Sequence, residues 1–404
     1  MSFPFLKKRK TKITKKKLQD FYLPNIKSPR SPFEFDEKNS PRKMANSSRK
    51  KGEAMRIDWL IPDFGIGSGG HTTIFRTILW LEKFGHQNKI WICGGTHHGD
   101  AKKALSIIHR HFFSLEADLD ILLDPLDFIA DSDAIVCTSY DTCYFGRAIN
   151  FDGEKFYFVQ DFEPEFSPIG SYYYLAEDTY RFGLNCITAG YWLAEKVKSV
   201  GGKVVGSFEL AIDKSIFFRS QSERSKDSFQ IAVYARCGTP RRLTELSIFA
   251  LNLLSKKGLQ FQVHFFGDSS LPFYADFPHQ IHGVLSPHQL GSLYRRCTVG
   301  CVFSATNYSL VPLEMMACGL PVIEFDGANT RRTFPDNTVS FAKPSPESIA
   351  DEIEKILCNE NQRNIQIECA IKYVSELSWE KSAKKVETAF LNTIDMKIPD
   401  LKIN

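Results

Sequence analysis

The chain has 404 residues, 43% of them hydrophobic and 24% charged, with a formal net charge of +4. That length holds two domains, each able to bury its own core. No apolar run reaches the ~18 residues needed to span a bilayer, and no secretory leader with an apolar centre is visible. The ten cysteines form no CxxC pair, and several, such as Cys93 and Cys137, sit inside apolar runs. This usage predicts reduced core thiols in a cytosolic protein, peripheral at the inner face of the cell membrane if the tail binds there, rather than a disulfide framework.

Charge is uneven. Residues 1–55 carry 16 Lys/Arg against 5 Asp/Glu, a net of +11, so residues 56–404 total −7. Basic runs at Lys7–Lys10 and Lys15–Lys17, Ser-Pro pairs and little apolar periodicity predict a disordered basic tail. A solvated extension is its first reading. An anionic membrane surface, held at ~1 kcal/mol per basic residue, is the second, and nucleic acid ranks last.

From Arg56 apolar strands alternate with amphipathic helices. Residues 56–62, 88–94, 134–139, 155–160, 185–190 and 203–208 read as strands, with helices over 71–84 and 100–113. In the first helix Ile74, Ile78, Leu81 and Phe84 recur at helical spacing. This βαβ rhythm predicts a doubly wound parallel sheet over residues 56–218. The hydrophilic stretch 219–228 reads as a linker. The rhythm then restarts over 229–376, with strands at 229–235, 261–267, 300–305 and 321–325 and helices over 241–257 and 287–296. The amphipathic end, within residues 377–404, predicts a closing helix. The fold class expected is α/β: two Rossmann-like domains facing across a cleft that opens at the carboxyl ends of their strands.

Candidate chemistry concentrates in a few places. Residues 301–325, CVFSATNYSLVPLEMMACGLPVIEF, place Glu314 alone in an apolar helix that stops at Gly319 and Pro321; a buried unpaired carboxylate is costly and so calls for a role. Arg236 and Arg241 follow the strand 229–235, and a planar guanidinium suits a diphosphate. Pro240 predicts a helix start there, its N-terminus adding positive potential, with Arg242 facing solvent or substituting for Arg241. The loop after the first strand carries Gly65, Gly67, Gly69 and Gly70 before His71, which permits close approach of an anion to a helix N-terminus. The same glycines would suit a dinucleotide, but no acid ends the second strand, which argues against NAD. Asp161, Glu163 and Glu165 follow the strand 155–160, where acids at a strand's carboxyl end can meet a ligand, and Asp161 is the first choice among them. Asp131-Ser132-Asp133 reads as a turn. His97-His98 and His109/His111 lack partners at ligand spacing, so neither a metal nor another cofactor is assigned.

The Arg236–Arg241 and Glu314 stretches, with ITAGYWLAEKV (187–197) and FELAIDKSIF (208–217), resemble the retaining GT-B glycosyltransferases of family 4, and within them the WsaF-type rhamnosyltransferases. The resemblance implies a GT-B fold whose last helix crosses back to the first domain. It implies a nucleotide-sugar donor (dTDP- or UDP-linked), a glycan or lipid-linked glycan acceptor, and cell-surface polysaccharide synthesis without metal. Glu314 would hold the ribose hydroxyls, and Arg236 and Arg241 would grip the diphosphate. Gly67, Gly69, Gly70 and His71 would form an anion-contacting loop at the acceptor side. One departure stands out: the family carries a second Glu near the position of Thr306. Thr306, Asn307 or the backbone of Tyr308, Ser309 and Leu310 would take over its contacts, and the loss is read as favouring a deoxysugar such as rhamnose. Two rival readings remain, a GT-B sugar-nucleotide epimerase and a nucleotide-sugar-binding scaffold without activity.

Overall fold

A computed structural model describes residues 42–45, 49–220, 228–271 and 274–396. Two parallel sheets organise it, and the expected α/β doubly wound class holds. The first half runs β1 (Arg56–Ile61), α1 (Gly69–Lys83), β2 (Gln87–Cys93), α2 (Ala101–His111), β3 (Asp118–Leu122), β4 (Ala134–Cys137) and α3 (Tyr140–Ala148). It continues through β5 (Glu154–Val159), α4 (Ser171–Asp178), β6 (Asn185–Ala189), α5 (Tyr191–Ser199) and β7 (Lys203–Phe208). The second half has β8 (Phe229–Tyr234), α6 (Thr244–Lys256), β9 (Phe261–Phe266), β10 (His279–Ile281), α7 (Pro287–Arg296), β11 (Val299–Cys301) and α8 (Leu310–Ala317). It ends with β12 (Val322–Phe325), α9 (Ala328–Thr333), β13 (Ser340–Ala342), α10 (Pro346–Cys358), α11 (Glu360–Glu376) and α12 (Trp379–Asp395).

The seven-stranded sheet has the order β3-β2-β1-β4-β5-β6-β7, and the six-stranded sheet β10-β9-β8-β11-β12-β13. Each winds outward in two directions, from β1/β4 and from β8/β11. At such a switch point the loops leaving the carboxyl ends diverge and open a crevice. Central strands are apolar on both faces because helices cover both; all four residues of β4 are buried, and Trp59 lies opposite Ile90 on one side and Val136 on the other.

The closing helix α12 belongs physically to the first sheet. Phe390 lies edge-on to Trp59 and Phe156, with ring centroids 6.2 and 4.7 Å apart. Close approach is possible because β7 has a glycine at 206: a Cβ there would come within 2.7 Å of the Ala389 Cβ. At its start, Trp379 lies 5.4 Å from the Arg76 guanidinium of α1, which also covers Phe113 at 4.5 Å and faces Asp213 at 3.5 Å.

Three sequence readings need correction. Strand β3 was missed, although DLDIL has the alternation of a half-buried strand. Pro240–Arg242 is a single 3-10 turn, Leu243 takes the left-handed conformation (φ 48°), and α6 begins only at Thr244, so no helix N-terminus follows Pro240 directly. The folded body also starts before residue 56. Arg49 is buried and pairs with Asp395 at 2.8 Å, Lys43 bridges to Phe151, and Met55 is in the core. The rest of the predicted tail, residues 1–41 and 46–48, and most of the predicted linker (221–227) lie outside the described residues. All ten cysteines are free thiols, seven of them buried, and among the described residues no helix is long and apolar enough to cross a membrane.

Gly206→Val should lower stability by about 2 kcal/mol in urea unfolding, the usual cost of overpacking, because the Ala389 Cβ cannot swing aside. Ala389→Gly in the same chain should restore part of the loss.

Candidate active site

The two switch points face each other, and the Asp161 carboxylate is one of the groups that join them. Asp161 follows β5 in the first domain. Its Oδ1 accepts the Asn307 backbone N–H (2.8 Å) and the Phe162 N–H (2.9 Å), and its Oδ2 accepts the Thr306 hydroxyl (2.9 Å). Arg241, from the second domain, brings its Nε to 3.5 Å of Oδ2 without the alignment of a hydrogen bond, leaving that buried N–H otherwise unpartnered. Its guanidinium lies 3.8 Å over the Phe166 ring. Burial lowers the Arg241 pKa, and Asp161 opposes the shift.

The loop between β11 and α8 is fastened to the first domain at further points. The Asn307 side-chain amide donates to the Gln160 and Ala189 carbonyls, each at 2.8 Å. The Tyr308 hydroxyl accepts the Leu210 N–H at 2.9 Å, and its ring packs against Gly190, where a Cβ would lie 3.2 Å away. Both carboxyl oxygens of Asp161, the first choice to meet a sugar hydroxyl, are thus engaged in fastening the two domains. Likewise Thr306, Asn307 and Tyr308 spend their side chains on the first domain rather than on an open donor pocket. Ser309 and Leu310 remain: the Ser309 Oγ is buried without a partner, and Leu310 opens the first turn of α8.

Glu314 lies in α8 with part of its surface open. Burial pushes its pKa up to about 7, and the positive charge of Arg76 from the first domain pulls it down. No hydrogen-bond partner of its carboxyl is found among the described residues. Arg236, after β8, is half-buried and makes no ion pair with a described residue; its backbone N–H donates to Thr244 Oγ1 at 3.1 Å. Arg241, through Asp161 and Phe166, and Glu314, through Arg76, both turn toward the first domain.

Arg242 does not face solvent as expected. It is buried and donates to the Ser304 hydroxyl at 2.9 Å. The cause is Glu324, fully buried at the end of β12, which takes the Ser304 and Phe325 N–H groups, both at 2.8 Å. Burial pushes Glu324 up to about 8, against those hydrogen bonds and the Arg242 charge. The rule that singled out Glu314, an acid inside an apolar run, would also have found Glu324 in PVIEF.

In the first domain Gly67 takes φ 82°, and a Cβ there would meet Val284 of the second domain at 3.1 Å, so the glycine loop borders the crevice with Gly69 and Gly70 opening α1. Ser68 caps that helix. His71 is not a cationic anchor: its ring nitrogens face Ser68 Oγ (2.8 Å) and the Pro62 carbonyl (3.2 Å), and burial lowers its pKa to about 4. Glu163 is buried and accepts the Tyr140 N–H (2.8 Å) and the Tyr157 hydroxyl (2.9 Å). Burial pushes it up to about 8, and neighbouring Asp141 adds to the shift. Asp131 and Asp133 pair with Arg56, by its side chain and its backbone N–H, both at 2.8 Å, as a turn would.

Asp63, His97 and His98, to which the sequence assigned no metal, come within 4.8 Å of one another. The Asp63 oxygens are already engaged by the N–H groups of Phe64 and His97, the Thr96 hydroxyl and the His97 ring. The His98 Nε2 faces the Phe64 carbonyl at 2.7 Å. The cluster ties the loop after β2 to that after β1.

Residues 229–354 match the family described as "WsaF, C-terminal domain". Over 365 residues the chain is 28% identical to the O-antigen biosynthesis protein RfbC of Myxococcus xanthus; that covers 85% of this chain but only 28% of the relative. Among solved structures, sucrose-phosphate synthase from Thermosynechococcus elongatus aligns with a TM-score of 0.65 at 12% identity, over 84% of this chain and 99% of that one. Anabaena Alr3699/HepE in complex with UDP-glucose aligns with 0.63 at 15%, over 85% and 100%. A putative UDP-N-acetylglucosamine 2-epimerase from Listeria monocytogenes also aligns, with 0.56 at 11%, over 85% and 97%. The chain thus has the GT-B fold. Its second half is similar to the WsaF C-terminal domain.

Asp161→Ala should cost about 3 kcal/mol in urea unfolding, the scale of hydrogen bonds to a charged group, and should raise the radius of gyration in solution scattering. Glu163 holds its proton more tightly when folded than the ordinary 4.5 of a free carboxyl. Its contribution to stability is therefore complete below about pH 4.5 and is lost as pH rises through about 8. Glu163→Gln, which can still accept from Tyr140, should flatten the fall in Tm across that range; an unchanged slope refutes the assignment.

Proposed function

We propose that the protein transfers a hexose from a nucleotide-sugar donor to a glycan acceptor in the synthesis of a cell-surface polysaccharide. The observation that carries this reading is the pair Arg236 and Arg241 at the β8/β11 switch point, the first with no ionic partner among the described residues, the second turned toward the facing domain. Two cations there meet the charge that develops on a departing diphosphate, and a water-poor crevice strengthens them. The unpartnered Glu314 carboxyl would accept from ribose hydroxyls, and the orphaned Ser309 hydroxyl, beside the first turn of α8, offers a further donor.

The donor we favour is dTDP-L-rhamnose, since Thr306 stands where the resembling family has an acid. The glycan acceptor would lie on the first-domain side, beside Gly67, Gly69 and Gly70, and a lipid-linked glycan fits the same role. Asp161 is occupied, so a retaining course, with the leaving phosphate oxygen taking the acceptor proton on the same face, asks for no other base and no metal. Supporting points outside the chain are that RfbC is named for O-antigen biosynthesis and that Alr3699/HepE binds UDP-glucose.

The test is product formation, read by mass spectrometry, with a panel of dTDP- and UDP-sugars and glycan acceptors. Arg236→Ala should lower turnover about 100-fold, as when one oxyanion donor is lost; near-normal turnover would sink that role. Stabilisation by dTDP or UDP without transfer would favour a nucleotide-sugar-binding scaffold, and isomerised donor without acceptor an epimerase.

A further inference from the structure

Beyond the donor site, the segment following β5 exposes apolar side chains beside the crevice without a covering element among the described residues. Phe166 is 38% exposed, Ile169 80% and Tyr174 59%. Three tyrosines follow one another at the start of α4, and the rings of Tyr173 and Tyr174 meet edge-on at 5.5 Å. Isolated surface apolar groups need no explanation, but a run of them on one segment calls for an occupant.

Its neighbours narrow the choice. Phe166 lies 3.8 Å from the Arg241 guanidinium, so the segment begins at the wall of the candidate donor site. Tyr172 neighbours Tyr140, which opens α3 at the β1/β4 switch point. The charged groups flanking the segment are ion-paired, Glu165 with Lys196 at 3.0 Å and Glu177 and Asp178 with Arg181. With their charges largely offset, they form no basic patch that would hold an anionic lipid surface. Flat rings flanked by carboxylates and hydroxyls do suit a sugar, whose C–H face lies on an aromatic ring while its hydroxyls donate to acids.

We propose that residues 166–174 form a stacking subsite for pyranose rings of the acceptor glycan, leading it to the crevice beside Arg241. This rests on the function proposed above and adds to it the place and the chemistry of acceptor recognition. Phe166 bounds the subsite on the inner side, and Ile169 and Tyr174 extend it outward.

The experiment uses the full chain and methyl pyranosides of glucose, galactose, mannose and rhamnose, read by saturation-transfer NMR, with UDP and dTDP affinity measured separately by calorimetry. At least one pyranoside should receive saturation on its C–H face. In the Tyr174→Ala/Ile169→Ser variant that signal should fall about fivefold, the scale of one lost ring contact. Tyr274→Ala, at a still more exposed tyrosine of the second domain (82%), should leave it unchanged. Nucleotide affinity should be the same in all three proteins. No saturation of any pyranoside, or an undiminished signal in the double variant, overturns the subsite. So does sedimentation showing that the double variant dissociates a dimer, which would make the face a contact between copies. Failure of nucleotides to bind the wild-type chain would instead sink the donor reading.

Discussion

The buried carboxylate of Asp161 joins the two domains, and the crevice depends on it. A charge at this depth is tolerable only where donors surround it. The second domain supplies two of them, the Thr306 hydroxyl and the Asn307 N–H, together with the charge of Arg241. The first domain gains a satisfied acid, and the second gains a fixed loop from β11 to α8. The same loop carries Ser309 and leads directly to Glu314. The shape of the candidate donor site therefore depends on a residue that is outside it.

A second buried pair does the matching work inside the second domain. Glu324 collects two backbone N–H groups and the Ser304 hydroxyl, and Arg242 approaches from the turn after β8. This network ties the two loops of the β8/β11 switch point to each other. With Arg242 held inward, Arg241 is the member of the pair that leans across to Asp161 and Phe166. Adjacent arginines thus divide the labour, one building the loop and the other presenting charge at the crevice. Glu314 closes the set from the far side, where Arg76 links it electrostatically to Asp213, after β7, and to Trp379, at the head of the crossing helix.

The fold was largely legible because parallel strands covered on both faces must be apolar, and segments such as AIVC and FQIAVY have few other places to go. The short edge strand β3 escaped for the opposite reason: half of DLDIL faces water, and five residues give little periodicity to count. That Arg241 lies after a strand and Glu314 inside an apolar helix was legible from the sequence, and the structure places both on the side turned toward the first domain. The roles of Asp161, Thr306 and Asn307 were not legible, because they arise from contacts between residues 145 and 146 positions apart in the chain. Arg242 was misread because the groups that hold it inward, the Ser304 hydroxyl and the nearby Glu324 charge, come from other βα units. His71 was expected in an anion-contacting loop, yet its ring is buried against Ser68 and the Pro62 carbonyl, and burial lowers its pKa to about 4.

The same fastening accounts for the departure at position 306. The resembling family carries an acid near this place, and here Thr306 has its hydroxyl 2.9 Å from the Asp161 carboxylate and is almost fully buried. A glutamate in its stead would bring a second carboxylate against the first, in a site where few waters could separate them. One of the two would have to take up a proton or turn away. Threonine donates to the Asp161 carboxyl instead of setting a second acid against it. Thr306 thus reflects the way the two domains are held together.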